Sequence, residues 1–418
     1  MLNRVVITGM GVVSPIGIGL NAYEEALKAG KSGVGPLTKA EDNEGLSVTI
    51  AAEVKDFSPE DYLDKKTVQR TDLFTQYALV AAQQALSDAG LLNNGKISMN
   101  PDKVIAVIGT GVGGFGTIQE QTKVMYEKGP KRVHPLTVPK LMPNAAAGMS
   151  SLEYHILGNT KTVNSACSSA NDAIIDAYDK LRLGRAQVAV SGGVEAAITK
   201  ITVAAFANMG ALTKEFNDDP EHASRPFDKN RSGFVIGEGA GILVMETLYH
   251  ARKRGAEIYA EILGYGASSD SFHITAPAED GSGAVRALEG ALAMSGVSAS
   301  EVDYINAHGT STKLNDRMET AAIRAVFGDH ADRLLVSSTK SMLGHLLGGA
   351  GGVELIATIL GMKHGFVPPT INYETPDPEC DLNYVPNHAG DEKISVAISN
   401  SFGFGGHNVS ILVRDWKD

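Results

Sequence analysis

Cysteine is nearly absent from this chain. Only Cys167 and Cys380 occur in 418 residues, too few and too far apart for a disulfide framework. A reducing compartment, the cytoplasm, is the expected setting. An excess of positive charge is missing as well, since the formal net charge is -11. That excludes nucleic acid as an expected partner, because binding it needs basic surface to neutralise phosphates. It does not exclude a local basic patch for an acidic partner. No apolar run approaches the length of a membrane span, so no membrane insertion is expected. The opening MLNRVVITGMGVVSPIG is broken by Gly and Pro. It reads as a first strand and its turn, not as a secretory signal.

What is present is an ordinary globular composition, 43% hydrophobic and 20% charged, at a length suited to two or three domains or one large α/β unit. The 46 glycines gather in short clusters after apolar runs, which implies tight turns and close backbone approach. Short apolar runs at Val5–Thr8, Val104–Ile108, Val188–Val190, Ile258–Leu263, Val302–Asn306, Leu334–Ser337 and Ile394–Ile398 read as buried strands. Helical patterns such as Thr75–Gly90 and Ala284–Gly296 lie between several of them. The alternation predicts a parallel sheet covered by helices on both faces. TVNSACSSANDAIIDAYDKLRLGRAQVAVSGG and LVSSTKSMLGHLLGGAGGVELIATILGMKHG share one plan. Each has a short strand, a run of small and polar residues carrying one reactive type, then a helix. This hints at two related halves, 1–255 and 256–418, breaking near Arg254-Gly255 and packed face to face without a linker.

In NSACSSANDAI, Cys167 is flanked by Ser165, Ala166, Ser168 and Ser169. Apolar positions Ala170, Ala173, Ile174, Ala177 and Leu181 then follow helical spacing. Cys167 is therefore expected in the first turn of a helix, where free N–H groups and the helix dipole lower a thiol's pKa. Small neighbours would let a carbonyl approach, and their N–H groups could meet an oxyanion. Taken alone, the segment fits a structural buried cysteine as well as a nucleophile.

INAHGTST places His308 just beyond a buried strand, where α/β proteins put their chemistry, though a surface-loop histidine fits too. SSTKSMLGHLLGGAGGVE places Lys340 and His345 before a glycine-rich, almost wholly apolar helix. Gly348, Gly349, Gly351 and Gly352 are costly there and make sense if something packs close. Lys340 needs a partner in such surroundings, with Glu354 the nearest candidate. SNSFGFGGHNVS sets Phe402 and Phe404 among glycines, as in a gate or an ordinary turn, with His407 structural. GTGVGG at residues 109–114 matches a dinucleotide pattern, but the following region KRVHPLTVPK is basic where an acidic residue is needed. That reading is rejected, and the glycines with Val112 are expected to line a pocket. No metal is expected, because His308 and His345 lack an acidic third ligand at any recognisable spacing.

NSACSS, NAHGTST and STKSMLGHLLGGAGGVE, in that order, together with RVVITGMGVVSPIG, RPFDKNRSGFVIGEGAGILVMETLYHARKRGA and SNSFGFGGHN, give the chain a resemblance to a known family. It resembles, over essentially its whole length, the condensing enzymes of the thiolase superfamily, and most of all the elongating, type II β-ketoacyl-acyl-carrier-protein synthases. The resemblance implies a five-layered αβαβα fold with internally duplicated halves, active as a homodimer without cofactor or metal. It implies decarboxylative condensation of a malonyl group with an acyl chain, both delivered by an acyl carrier protein. Cys167 would be the acylated nucleophile and His308 and His345 the catalytic histidines. Lys340 and Glu354 would organise the second histidine. The N–H groups of Cys167 and Phe404 would form the oxyanion hole, with Phe404 gating an acyl pocket. Val112, Ala197, Phe206 and Leu347 match acyl-pocket positions, and Phe402 joins the substrate-binding set. Thr310 and Thr312 match hydroxyls that meet the pantetheine arm. Val112 is smaller than the Ile of some relatives, which would open the pocket, and Lys313 stands where Pro is frequent. An acidic carrier would dock on a basic patch, with Lys65, Lys66, Arg70, Lys131 and Arg132 as candidates against a plain solvated face.

Five other readings compete. A biosynthetic thiolase would need a second catalytic cysteine, and Cys380 lies outside the final glycine loop. An initiating, type III synthase would pair its cysteine with one His and one Asn. A non-catalytic chain-length partner of a polyketide synthase would lack Cys167. A type I-like synthase for unsaturated intermediates, or a polyketide-type ketosynthase, remains the alternative.

Overall fold

The computed structural model describes residues 2–40 and 43–417. Ten strands form its frame. The first half supplies β1 (Val5–Ser14), β2 (Val104–Gly109), β3 (Thr160–Val163), β4 (Val188–Glu195) and β5 (Gly239–Thr247). The second half supplies β6 (Ala260–Ser269), β7 (Tyr304–Asn306), β8 (Leu335–Ser337), β9 (Val396–Gly403) and β10 (His407–Asp415). The helices around them are α1 (Leu73–Asp88), α2 (Phe115–Lys128), α3 (Ala145–Tyr154), α4 (Ser169–Arg182), α5 (Ser282–Ser295), α6 (Lys313–Phe327) and α7 (Ala350–His364).

The strand order is β8-β7-β9-β10-β6-β1-β5-β4-β2-β3, with the short strand Gly17–Ile18 added to β1. Read within each half, third-second-fourth-fifth-first occurs twice. The directions repeat too: two parallel pairings at the outer end and two antiparallel ones toward the middle. The fold is thus internally duplicated. The halves meet where Val5, Val6 and Ile7 pair antiparallel with Ile262, Glu261 and Ala260.

The wholly parallel sheet predicted from strand–helix alternation is corrected to a mixed one. Apolar runs identify buried strands but not their direction. Three strands also escaped the pattern. β5 is GAGILVMET, whose glycines mask its start, and β3 is the polar TKTV at a sheet end, only partly buried. β10 follows β9 through a tight turn containing Gly405 and Gly406, at φ 85° and 76°. That hairpin forces the antiparallel pairing.

Most strands carry apolar residues on both faces. Ile105 and Val107 of β2 join a core with α4 and α7, while Val104, Ala106 and Ile108 join a second core with α1. In the second half Val409, Ile411 and Val413 of β10 face the same central core, and Leu412 faces α5 and α6. The result is five layers: α1, first sheet, α4 with α7, second sheet, α5 with α6. As the central layer, α7 is buried at every position from Ala350 to Met362. It touches strands of both halves, as expected of a helix apolar all round.

The glycine run before and within α7 marks close approach, as its cost in a helix predicted. A Cβ at Gly352 would lie 2.3 Å from the Gly241 carbonyl oxygen of β5. In an exposed helix Gly→Ala gains about 1 kcal/mol. Here Gly352→Ala should instead destabilise the protein by about 2 kcal/mol through overpacking, read as a lower denaturant midpoint. A raised midpoint would refute the close-approach explanation.

Candidate active site

Cys167 lies in the 3-10 turn Ala166–Ser168, one turn ahead of α4 rather than within its first α-helical turn. The turn is strained, with Ala166 at φ 51°, a conformation non-glycine residues seldom adopt. The serines hold it in place. Ser169 Oγ donates to the Ala166 carbonyl at 2.7 Å and accepts from the Ser165 N–H at 2.9 Å. Ser168 Oγ bonds the carbonyls of Ser401 and His407, at 3.1 and 2.7 Å, tying the turn to the β9–β10 hairpin. The small residues therefore do more than clear access: they fasten the nucleophile's loop to the second half.

The same hairpin brings the Phe404 backbone N–H to the side of the Cys167 thiol, where it favours the anionic form. Burial pushes the thiol up to about 11, opposed by the charge of Lys340 and by the Phe404 N–H. This corrects the expectation of a depressed pKa. Cys167 is only 8% exposed, and desolvation disfavours a buried thiolate more than Lys340 and the Phe404 N–H favour it.

Folding joins residues 141 and 178 positions from Cys167 at one point. His308 follows β7, and its N–H and that of Gly309 donate to the two oxygens of Glu319, each at 2.8 Å. His345 is fixed by its own N–H to the Val235 carbonyl at 2.7 Å, and by the Gly237 N–H to its carbonyl at 2.9 Å. The two rings meet edge to face, centroids 5.3 Å apart. One nitrogen of each, with the Cys167 sulfur, lies within 4.8 Å of the others. That spacing would also suit a three-ligand metal site. The buried ammonium of Lys340, 3.3 Å from His308 Nδ1, opposes a second cation there.

Lys340 is 1% exposed and ion-paired with the equally buried Glu354. Its remaining contact is with His308, which corrects the expectation that this pair organises His345. An ammonium only donates. His308 Nδ1 is therefore the acceptor, and the proton of its neutral ring sits on Nε2. Burial first, then the charge of Lys340, drive both histidines well below 6.5. Both are neutral donors at ordinary pH.

A cavity of about 670 Å³ opens onto this cluster. Cys167, His308 and His345 line it, as do Val112, Phe206, Leu347, Phe402 and Phe404. Phe402 is buried against the His308 ring, centroids 5.9 Å apart, while Phe404 on the turn is half-buried. Ala197 is not in the lining. It is fully buried behind the wall, in one apolar cluster with Leu347. Thr310 and Thr312 also line the cavity, their hydroxyls 2.9 Å apart. Arg231, from the RPFDKNR stretch, steadies them. It donates to the carbonyls of Thr312 and Lys313 and pairs with Asp316 and Asp377. Lys65, Lys66 and Arg70 lie exposed on the short helix Lys65–Arg70, and Lys131 and Arg132 on the 3-10 turn Pro130–Arg132. None of the five forms an ion pair among the described residues.

Sequence reasoning missed two fully buried carboxylates, Glu195 and Glu319, both pushed up to about 7 by burial. Glu319 could have been suspected. It shares the buried face of α6 with Asp316, Thr320, Ile323 and Phe327, and an acid on such a face needs a buried partner.

Comparison with known proteins places the chain among relatives of full length. The family described as Beta-ketoacyl synthase, N-terminal domain, matches residues 2–251, and its C-terminal domain matches residues 259–374. The 3-oxoacyl-[acyl-carrier-protein] synthase 2 of Synechocystis sp. (strain ATCC 27184 / PCC 6803 / Kazusa) is 47% identical over 414 residues, covering 99% of this chain and 98% of the relative. Among solved structures, the ishigamide ketosynthase/chain length factor superposes with a TM-score of 0.93 at 37% identity, each chain covered in full. A type II polyketide ketosynthase bound to the hexaketide and in complex with its acyl-carrier protein gives 0.89 at 32% identity, again over both full chains.

The histidine assignment is testable by NMR. In the wild-type protein the ring signals of His308 and His345 should show no titration between about pH 6 and 8. Removing the cation raises both pKa values, so in Lys340→Met/Glu354→Gln protonation should appear at higher pH than in wild type. Unmoved titration would refute Lys340 as the controlling charge.

Proposed function

The chain belongs to the β-ketoacyl synthase family, and from that premise we propose that it elongates acyl chains carried by acyl carrier protein. It is a 3-oxoacyl-[acyl-carrier-protein] synthase of the type II, fatty-acid class, an acyltransferase. The observation that carries this reading is the cysteine sulfur set against two neutral histidine nitrogens, within 4.8 Å, in a cavity large enough for an acyl chain.

In the first half-reaction Cys167 attacks the acyl thioester of the carrier. The carbon–sulfur bond to the carrier breaks, and the thiol proton ends on the departing pantetheine sulfur. Covalent capture splits one difficult transfer into two easier steps. The N–H groups of Cys167 and Phe404 receive the tetrahedral oxyanion. In the second half-reaction malonyl carrier protein binds in the same cavity. Its carbon–carbon bond breaks, carbon dioxide leaves, and the electron pair forms an enolate. His308 Nε2–H, fixed by Lys340 at the other nitrogen, and an N–H of His345 donate to the enolate oxygen. A donor of this kind contributes about 3–4 kcal/mol. The enolate carbon then attacks the acyl-Cys167 carbonyl and expels the thiolate. The thiolate recovers a proton from solvent, and 3-oxoacyl carrier protein leaves.

Two partners follow. The carrier docks on basic surface around Lys65, Lys66, Arg70, Lys131 and Arg132. A second copy of the chain adds at the open edge of β3, which has no neighbour beyond it among the described residues. Tyr126 of α2 and Leu152 of α3 are 81% and 73% exposed, an apolar content suited to burial in a homodimer. No helix among the described residues is long and apolar enough to cross a membrane. Both cysteines are free, in keeping with a reducing cytoplasm.

Cys167→Ala should abolish condensation yet still release carbon dioxide from malonyl carrier protein, whereas His345→Ala should lose that release. Condensation by the first variant, or unimpaired release by the second, would overturn the assignment. Charge reversal at Lys131 and Arg132 should raise the apparent KM for carrier-bound substrate and flatten its salt dependence. An unchanged salt dependence counts against the patch.

A further inference from the structure

Glu195 is the last residue of β4, fully buried, and takes no part in the chemistry above. Its carboxylate accepts four hydrogen bonds from two different loops. Thr110 Oγ1 and the Val112 N–H donate to Oε1, at 3.0 and 3.3 Å. The Gly111 and Gly348 N–H groups donate to Oε2, at 2.7 and 3.1 Å. The first loop belongs to the first half of the chain, between β2 and α2. The second belongs to the second half, just before α7. One side chain thus holds together the walls that the two halves contribute.

Both walls end in cavity-lining residues. Val112 gives its own N–H to the clasp, and Leu347 immediately precedes Gly348. Leu347 is held at φ 46°, a left-handed conformation a branched residue does not adopt freely. No side chain fits between the loops. A Cβ at Gly348 would lie 2.1 Å from the Gly111 nitrogen, and one at Gly111 would lie 2.7 Å from Glu195 Oε2. Val112, Leu347 and Phe206 pack in one apolar cluster, which does not include the cavity-lining Thr310 and Thr312.

We propose that Glu195 is a positioning residue that sets acyl-chain length, by clasping the two loops that carry Val112 and Leu347 against each other. This rests on the acyl-elongating reading of the site. The carboxylate has only acceptors, which four converging donors require. A carboxamide of the same size turns an NH2 donor toward two of them. Those bonds are lost and the wall is free to part, admitting longer chains than the closed wall accepts.

The test is elongation of acyl carrier proteins of graded chain length by wild type, Glu195→Gln and Thr110→Val, with malonyl decarboxylation measured alongside. In Glu195→Gln the ratio of kcat/KM for the longest to the shortest acyl group should rise about tenfold, the discrimination a methylene-sized change in a pocket supplies. Decarboxylation should stay within about twofold of wild type, because the histidines are untouched. Thr110→Val removes a single donor and should shift the ratio in the same direction by less, which keeps the inference testable if Glu195→Gln does not fold. An unchanged ratio would overturn it. So would an equal fall at all lengths together with decarboxylation, which would mean a purely structural role. Failure of the wild-type protein to elongate any carrier would sink the functional reading and the length assignment with it.

Discussion

A single buried ammonium organises the site. Lys340 is taken out of water, which is tolerable only because Glu354 neutralises it. Its other contact, with Nδ1 of His308, dictates which nitrogen of that ring carries the proton. Its charge also acts on His345 and on Cys167. Removing one member of such a pair leaves an uncompensated buried charge, at a cost of about 3–5 kcal/mol. The position is therefore tied to folding as well as to chemistry.

Around that pair the site follows a consistent division of labour. The groups gathered around the Cys167 sulfur are neutral: a thiol and two imidazoles, with the hydroxyl residues Thr310 and Thr312 on the cavity lining. Three buried charged groups stand behind the lining and act by holding backbone. Glu319 fixes the loop of His308 and Gly309, Arg231 the loop of the two threonines, and Glu195 the two acyl-side walls. Each carboxylate gathers N–H groups from turns that have no ladder partner, so burial of the acid and order of the loop are satisfied together.

The duplicated sheet explains why these loops meet. Both halves bring their second strand to the same end of the layer, with the loop carrying Gly111 and Val112 after β2 and the loop carrying His308 after β7. The central helices start at that end as well. Before α4 comes the turn of Cys167, and before α7 the stretch of His345 and Leu347. Four loops related by the repeat therefore surround one cavity, and the glycines of α7 and β5 let the halves approach closely enough to close it.

The residues that the fold gathers at the cavity were legible in the sequence because reactive side chains leave local marks. Cys167 stands among small residues, His308 follows a buried strand, and the glycine run after Lys340 and His345 is costly unless something packs there. Composition and periodicity likewise determined an α/β protein with buried strands and a repeated plan. What the sequence could not state was direction and distance. Strand polarity came from the hairpin at Gly405 and Gly406, and the polar edge strand β3 had no apolar signature. The backward placement of Ala197, the raised thiol of Cys167, and the pairing of Lys340 with His308 rather than His345 depend on residues far along the chain. So do the clasps at Glu195 and Glu319, because the burial and hydrogen bonding that give a carboxylate its role are properties of packed neighbours. Local sequence pointed to the cysteine and the two histidines, and the packing of two halves decided their protonation, their partners and the shape of the space between them.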